Sequence, residues 1–105
     1  MSSFTLSALG ICCALGNNPQ QVWQNAVRGS RDGMHKRSDL LLSQQPVVVG
    51  EVSATLADMS AWPALYRSRN NQLAELAYQQ IATEVDKARQ QYGAARIAVV
   101  IGSST

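Results

Sequence analysis

An unbroken apolar run lies at the end of this chain. Ile97, Ala98, Val99, Val100 and Ile101 follow one another without a polar residue, and all but Ala98 are β-branched. Such a run suits a strand buried on both faces, as in a parallel sheet with helices above and below. The small, turn-prone residues Gly102, Ser103, Ser104 and Thr105 come next. A strand of that kind needs neighbours on both sides. The sequence provides too few elements after it to cover it. The expectation is therefore the opening of a larger α/β protein, cut at a strand-to-loop junction.

Composition sets the outer bounds. A chain of 105 residues is at most one small domain. Hydrophobic residues at 46% and charged residues at 15% describe a folded chain rather than a disordered one. A net charge of +2 is too weak to argue for nucleic acid. No apolar run reaches the length of a membrane span. Met1, Ser2, Ser3, Phe4 and Thr5 lack the basic start and long apolar core of a signal peptide. The expected location is cytoplasmic.

Two periodicities organise the rest. Phe4, Leu6 and Ala8 alternate with Thr5 and Ser7, a strand-like period of two running towards Gly10. Gly16, Asn17, Asn18 and Pro19 mark a stop and a new start, with Asn18 as N-cap and Pro19 as the first helical residue. The helix spans 19–28, carries Val22, Trp23, Ala26 and Val27 on one face, and ends at Gly29. Residues 30–45 hold Arg31, Asp32, His35, Lys36, Arg37 and Asp39 and are expected to form a surface loop, with a short turn of helix near Leu40. Pro46 opens a strand over 47–53 whose proline and Glu51 indicate a sheet edge. Residues 55–66 are irregular, with Trp62 and Pro63 fixing an extended bend. A long helix over 70–92 follows, with Leu73, Leu76, Ala77, Ile81, Val85, Ala88 and Tyr92 in helical period. At about 1.5 Å per residue it is on the order of 30 Å long. Gly93 ends it and a strand over 96–101 completes the order. The predicted fold class is α/β, β-α-β-α-β with mainly parallel strands and right-handed crossovers, the strands at 5–10 and 96–101 being parallel neighbours.

No chemistry-bearing constellation is complete. Cys12 and Cys13 are adjacent, a spacing that suits neither a disulfide framework nor a zinc site. They read as two small buried hydrophobes, and no basic neighbour indicates a reactive thiolate. Gly10, Gly16, Gly29, Gly33 and Gly50 fall at no nucleotide-binding spacing. The terminal Gly-Ser-Ser-Thr would suit a phosphate-binding turn only if a helix followed, and reads otherwise as a strand-end turn. His35, the one histidine, sits beside Lys36 and Arg37 and reads as a solvated surface group. Arg28, Arg31, Lys36 and Arg37 form a basic cluster in sequence, which is ordinarily solvated surface and secondarily a docking patch for an acidic partner. No residue is therefore assigned a catalytic, cofactor-binding or metal-binding role.

Three stretches, taken in order, resemble the N-terminal region of the β-ketoacyl-acyl-carrier-protein synthases, the condensing enzymes of the thiolase superfamily. The first begins Ser7-Ala8-Leu9-Gly10-Ile11-Cys12-Cys13 and continues Ala14-Leu15-Gly16-Asn17-Asn18. It is similar to the family's first strand and turn, although Ser7-Ala8 stands where Thr-Gly is usual and Cys12-Cys13 where Val-Ser or Val-Thr is common. The helix with Trp23, then Gly29-Ser30, is similar to the family's first helix and loop. The second stretch, Tyr66-Arg67-Ser68-Arg69-Asn70-Asn71-Gln72-Leu73-Ala74, resembles the entry to its second long helix. Its asparagine pair is similar to ketosynthases of aryl-polyene and related pigment pathways. The third, from Arg96 to Ser104, resembles the family's strand and glycine-serine turn.

The resemblance implies a partial thiolase-like half-domain, residues 1–105 being the N-terminal part of a ketosynthase that stops before the catalytic cysteine. The family's reaction is a decarboxylative Claisen condensation. A helix-terminal cysteine takes the acyl chain as a thioester. Two histidines assist loss of carbon dioxide from malonyl-acyl-carrier protein, and backbone amides hold the oxyanion. All those residues are implied to lie beyond this stretch, so neither Cys12 nor Cys13 matches the nucleophile. The full-length form is implied to need no cofactor, to use acyl-carrier protein as its partner and to form a homo- or heterodimer in fatty-acid, polyketide or aryl-polyene synthesis. Two other readings stand beside it: a non-catalytic, chain-length-factor-like subunit, and an unrelated small α/β binding module.

Overall fold

The structure, a computed structural model, describes residues 2–103. Its first helix, α1, spans Pro19–Arg28, with the bounds the sequence predicts. The reasons are local. Asn18 has extended backbone, and its side-chain oxygen accepts from the Gln21 N–H at 2.9 Å. Pro19 fills the first turn, where a missing N–H costs nothing. Gly29 ends the helix at φ 65°, a left-handed conformation that favours glycine.

The parallel β-α-β-α-β arrangement is not what forms. The described residues hold one two-stranded antiparallel sheet, β1 at Met34–Arg37 and β2 at Val47–Gly50. Met34 pairs with Gly50, His35 with Val49, Lys36 with Val48 and Arg37 with Val47. The expected surface loop over 30–45 thus contains a strand. The short connection explains the direction: 38–46 can return the chain antiparallel, whereas a parallel pair needs a crossover of about a dozen residues or more. The turn of helix expected near Leu40 is instead a turn in which the Gln44 N–H donates to the Leu41 carbonyl at 2.9 Å. Gln44 itself has φ 56°.

The long helix predicted over 70–92 is two helices, α2 at Arg69–Gln79 and α3 at Ala82–Tyr92. At the break the N–H groups of Gln80 and Ile81 reach back only three residues, to Ala77 and Tyr78, and Ile81 sits at φ −114°, ψ 1°. A helix resumes when the Val85 N–H bonds the Ile81 carbonyl at 3.0 Å. The apolar stripe expected for this segment is real: Leu73, Leu76, Ala77, Ile81, Val85 and Ala88 are all half-buried, although Tyr92 is exposed.

Neither outer strand forms. Residues 5–10 and 97–101 enter no ladder among the described residues, and the first and last segments are not parallel neighbours. Arg96 belongs to a 3₁₀ turn, Ala94–Arg96, and Ile97 is extended without a pairing strand. A backbone of β geometry becomes a strand only when a second backbone accepts its hydrogen bonds. Ser104 and Thr105, the end of the expected turn, lie outside the described residues, as does Met1.

The result is an open molecule. No apolar side chain among the described residues is buried. The accessible surface is 8816 Å², against about 5,700 Å² for a compact monomer of 11.3 kDa. The radius of gyration is 17.3 Å, against about 13 Å for a compact domain of this length.

Candidate functional site

An apolar concavity lies along α2. It is an apolar groove of about 530 Å³, floored by Ala74, Ala77, Tyr78 and Ile81 and walled by Trp62, Tyr66, Val99 and Ile101. Its walls are positioned by polar bonds at the entry to α2. Ser68 caps the helix by accepting from the Asn71 N–H at 3.1 Å. Asn71 Nδ2 donates to the Tyr66 carbonyl at 2.8 Å, and Gln72 Nε2 to the Ala57 carbonyl at 2.8 Å. The Arg67 guanidinium donates to the Trp62 carbonyl at 2.8 Å and the Ser60 carbonyl at 3.0 Å. Asp58 accepts from the Ser60 N–H and hydroxyl, both at 2.9 Å, and these bonds hold its carboxyl below the usual carboxylate range. The irregular stretch read from the sequence is therefore sewn to the helix rather than loose.

At the other end of α2, Gly10 meets the helix backbone. A Cβ there would collide with the Ala77 carbonyl oxygen, so only glycine permits the approach. The Cys12 thiol donates to the Leu73 carbonyl at 3.6 Å. Cys12 and Cys13 are both free and half-buried, less enclosed than the pair of small buried hydrophobes expected. Cys13 and Gly16 exchange two backbone hydrogen bonds, 2.9 and 3.1 Å, which close the turn ahead of α1.

The basic cluster divides. Arg28 donates to Asn25 Oδ1 at 2.6 Å, and Asn25 Nδ2 donates in turn to the Leu15 carbonyl at 2.5 Å. Arg37 is engaged by two carboxylates. Its Nε and Nη2 fork onto Asp39 at 2.7 and 2.5 Å, and Nη1 donates to Glu51 at 2.5 Å. Asp39 and Glu51 push the guanidinium pKa up, while the Arg37 hydrogen bonds hold the Asp39 carboxyl below its ordinary range. The charge of Arg37 is thus compensated where it sits, and the cluster does not form one positive face. His35 is exposed on β1, paired with Val49. His35 and the two cysteines occupy separate elements, and among the described residues no group of three or more His, Cys, Asp or Glu side chains is disposed to hold a metal ion.

Arg67 and Asn71 organise these contacts; both lie in the stretch that resembles the entry to the family's second long helix, but nothing in the sequence signals these bonds. Long-range bonds from a side-chain amide or guanidinium to a backbone carbonyl leave no periodicity or spacing to read. No helix among the described residues is long and apolar enough to cross a membrane.

No protein-family model and no curated protein matches the chain. Among solved structures it is similar to one chain of a complex from Xenorhabdus doucetiae, described as the ketosynthase ApeO in complex with its chain length factor ApeC. The TM-score is 0.75 and the identity 35%, covering 89% of this chain and 25% of that one. The chain thus spans about a quarter of the length of the relative it matches. Identity at this level on a shared fold bears out the resemblance seen in the three sequence stretches, and the chain belongs to the ketosynthase family.

Proposed function

We propose that this chain is the N-terminal scaffold portion of a β-ketoacyl-acyl-carrier-protein synthase, residues 1–105 preceding the catalytic cysteine. The observation that carries the reading is the match of 35% identity and TM-score 0.75 over 89% of the chain. The full-length protein would condense an acyl chain with malonyl-acyl-carrier protein in the cytoplasm, in fatty-acid, polyketide or aryl-polyene synthesis. Its nucleophilic cysteine, two histidines and oxyanion amides would come from the remainder of the protein. The role of this part is to present α2 and its apolar groove as a surface on which that remainder packs.

A second reading is favoured by one observation, that the relative is described together with a chain length factor. The parent would then be the non-catalytic member of such a pair, and the residue at its nucleophile position would decide. The test of the scaffold role is release of carbon dioxide from malonyl-acyl-carrier protein by the purified chain. The expected rate is background. Turnover above background would overturn the proposal, because loss of carbon dioxide is assisted in the family by two histidines and this chain has one.

A further inference from the structure

One side chain joins the two ends of the sequence, and it does so at the point where the long helix breaks. Gln80 Oε1 accepts from the Ile11 N–H at 3.1 Å, and Gln80 Nε2 donates to the Ile11 carbonyl at 3.0 Å. A single primary amide thus satisfies both backbone groups of one residue, as a facing residue does in a hydrogen-bonded antiparallel pair. The same Nε2 also donates to the Asn17 carbonyl at 2.8 Å and lies 3.4 Å from the Leu76 carbonyl of its own helix. Ile11 and Asn17 bracket the segment that carries Cys12 and Cys13. That segment lies on α2 through the Gly10 contact with Ala77 and through the Cys12 thiol on the Leu73 carbonyl.

We infer that Gln80 is the latch of the segment 11–17, and that its amide controls access to the Cys12 thiol. Gln80 and the Cys12 thiol both hydrogen-bond this segment to α2 and its cap. The thiol bond is the weaker kind, since sulfur is a poor donor. Cys13 is a built-in control. Its backbone is held by Gly16 within the same turn, independently of α2. Opening the latch therefore exposes Cys12 selectively, whereas loss of the whole fold exposes both cysteines alike.

The test, made in the full-length protein on which the proposed function rests, is the rate at which a neutral thiol reagent labels Cys12 in a C13A variant and Cys13 in a C12A variant, read by mass spectrometry of the peptide that carries them, each with Gln80 intact, Q80A or Q80E. Q80A removes the amide. Q80E keeps the shape and one acceptor, but sets a carboxylate against the carbonyls of Ile11 and Asn17. A latch made of hydrogen bonds requires Q80A to speed Cys12 labelling about fivefold, and Q80E to speed it at least as much. Cys13 labelling should change by less than about twofold. Equal acceleration of both cysteines would mean general unfolding and would overturn the inference. So would unchanged Cys12 labelling. A Q80E chain closer to wild type than Q80A would show that Gln80 acts by filling space, and would overturn it as well.

Discussion

Two residues at the edges of α1 and two on the hairpin show how local chemistry sets local structure. Asn18→Ala leaves the Gln21 N–H without its acceptor, which should cost about 1 kcal/mol of α1 stability, read as faster amide exchange confined to the first turn. Gly29→Ala forces a Cβ into φ 65° and should cost about 1 kcal/mol at the other end of the helix, even though the space around it is open. On the hairpin, the Asp39 carboxyl has a lowered pKa in the folded chain because Arg37 donates to it. Its contribution is therefore complete above the unfolded value of about 3.9 and is lost as the pH falls through the folded value. Arg37→Met should move the Asp39 titration, followed by NMR, up towards the ordinary carboxylate range. The pair is solvent-exposed, so the effect should shrink in high salt.

At the scale of elements, legibility followed whether the signal was local. Helix α1 was readable to the residue because Asn18, Pro19 and Gly29 each act on their own neighbours. Strand β2 is readable through Val47, Val48 and Val49, although it ends at Gly50 and not at residue 53 as expected, while its partner Met-His-Lys-Arg carries no strand pattern and pairs only because the chain turns back on itself. The break between α2 and α3 falls at Gln80 and Ile81, with neither glycine nor proline to announce it, and the apolar stripe runs straight through. The segments 5–10 and 96–101 have strand-like sequences, but pairing is a property of two segments and cannot be read from either alone. Of the groove, the apolar residues of α2 were foreseen, while the polar bonds that hold Trp62 and Tyr66 against it were not. The close approach of Gly10 gives an element-level prediction. Gly10→Ala drives a Cβ into the Ala77 carbonyl and should cost about 1–3 kcal/mol, read in the full-length protein as faster amide exchange along α2, whereas Gly102→Ala, with open space around it, should leave that exchange unchanged.

At the scale of the whole molecule, surface area decides. Phe4 and Leu6 are 96% and 97% exposed, and Val99, Val100 and Ile101 are 81%, 93% and 84% exposed. The chain leaves on the order of 3,000 Å² more surface in water than a compact protein of its mass. A standard protein interface covers only about 800 Å² on each partner, so the excess is several times that of one ordinary contact. At about 25 cal/mol per Å², leaving even a helix-sized apolar face uncovered forfeits several kcal/mol. That is comparable with the whole stability of a small domain, about 5–15 kcal/mol. The chain alone should therefore associate with itself or unfold without a sharp transition, with Val99 and Ile101 near the contact. The account rests on this being a ketosynthase-family segment whose faces other polypeptide must cover. Sedimentation of the purified 105-residue chain at low micromolar concentration tests it most directly. The account predicts concentration-dependent association, or an expanded monomer that lacks a cooperative unfolding transition. A compact monomer, with a radius of gyration of about 13 Å and a single sharp transition, would contradict it.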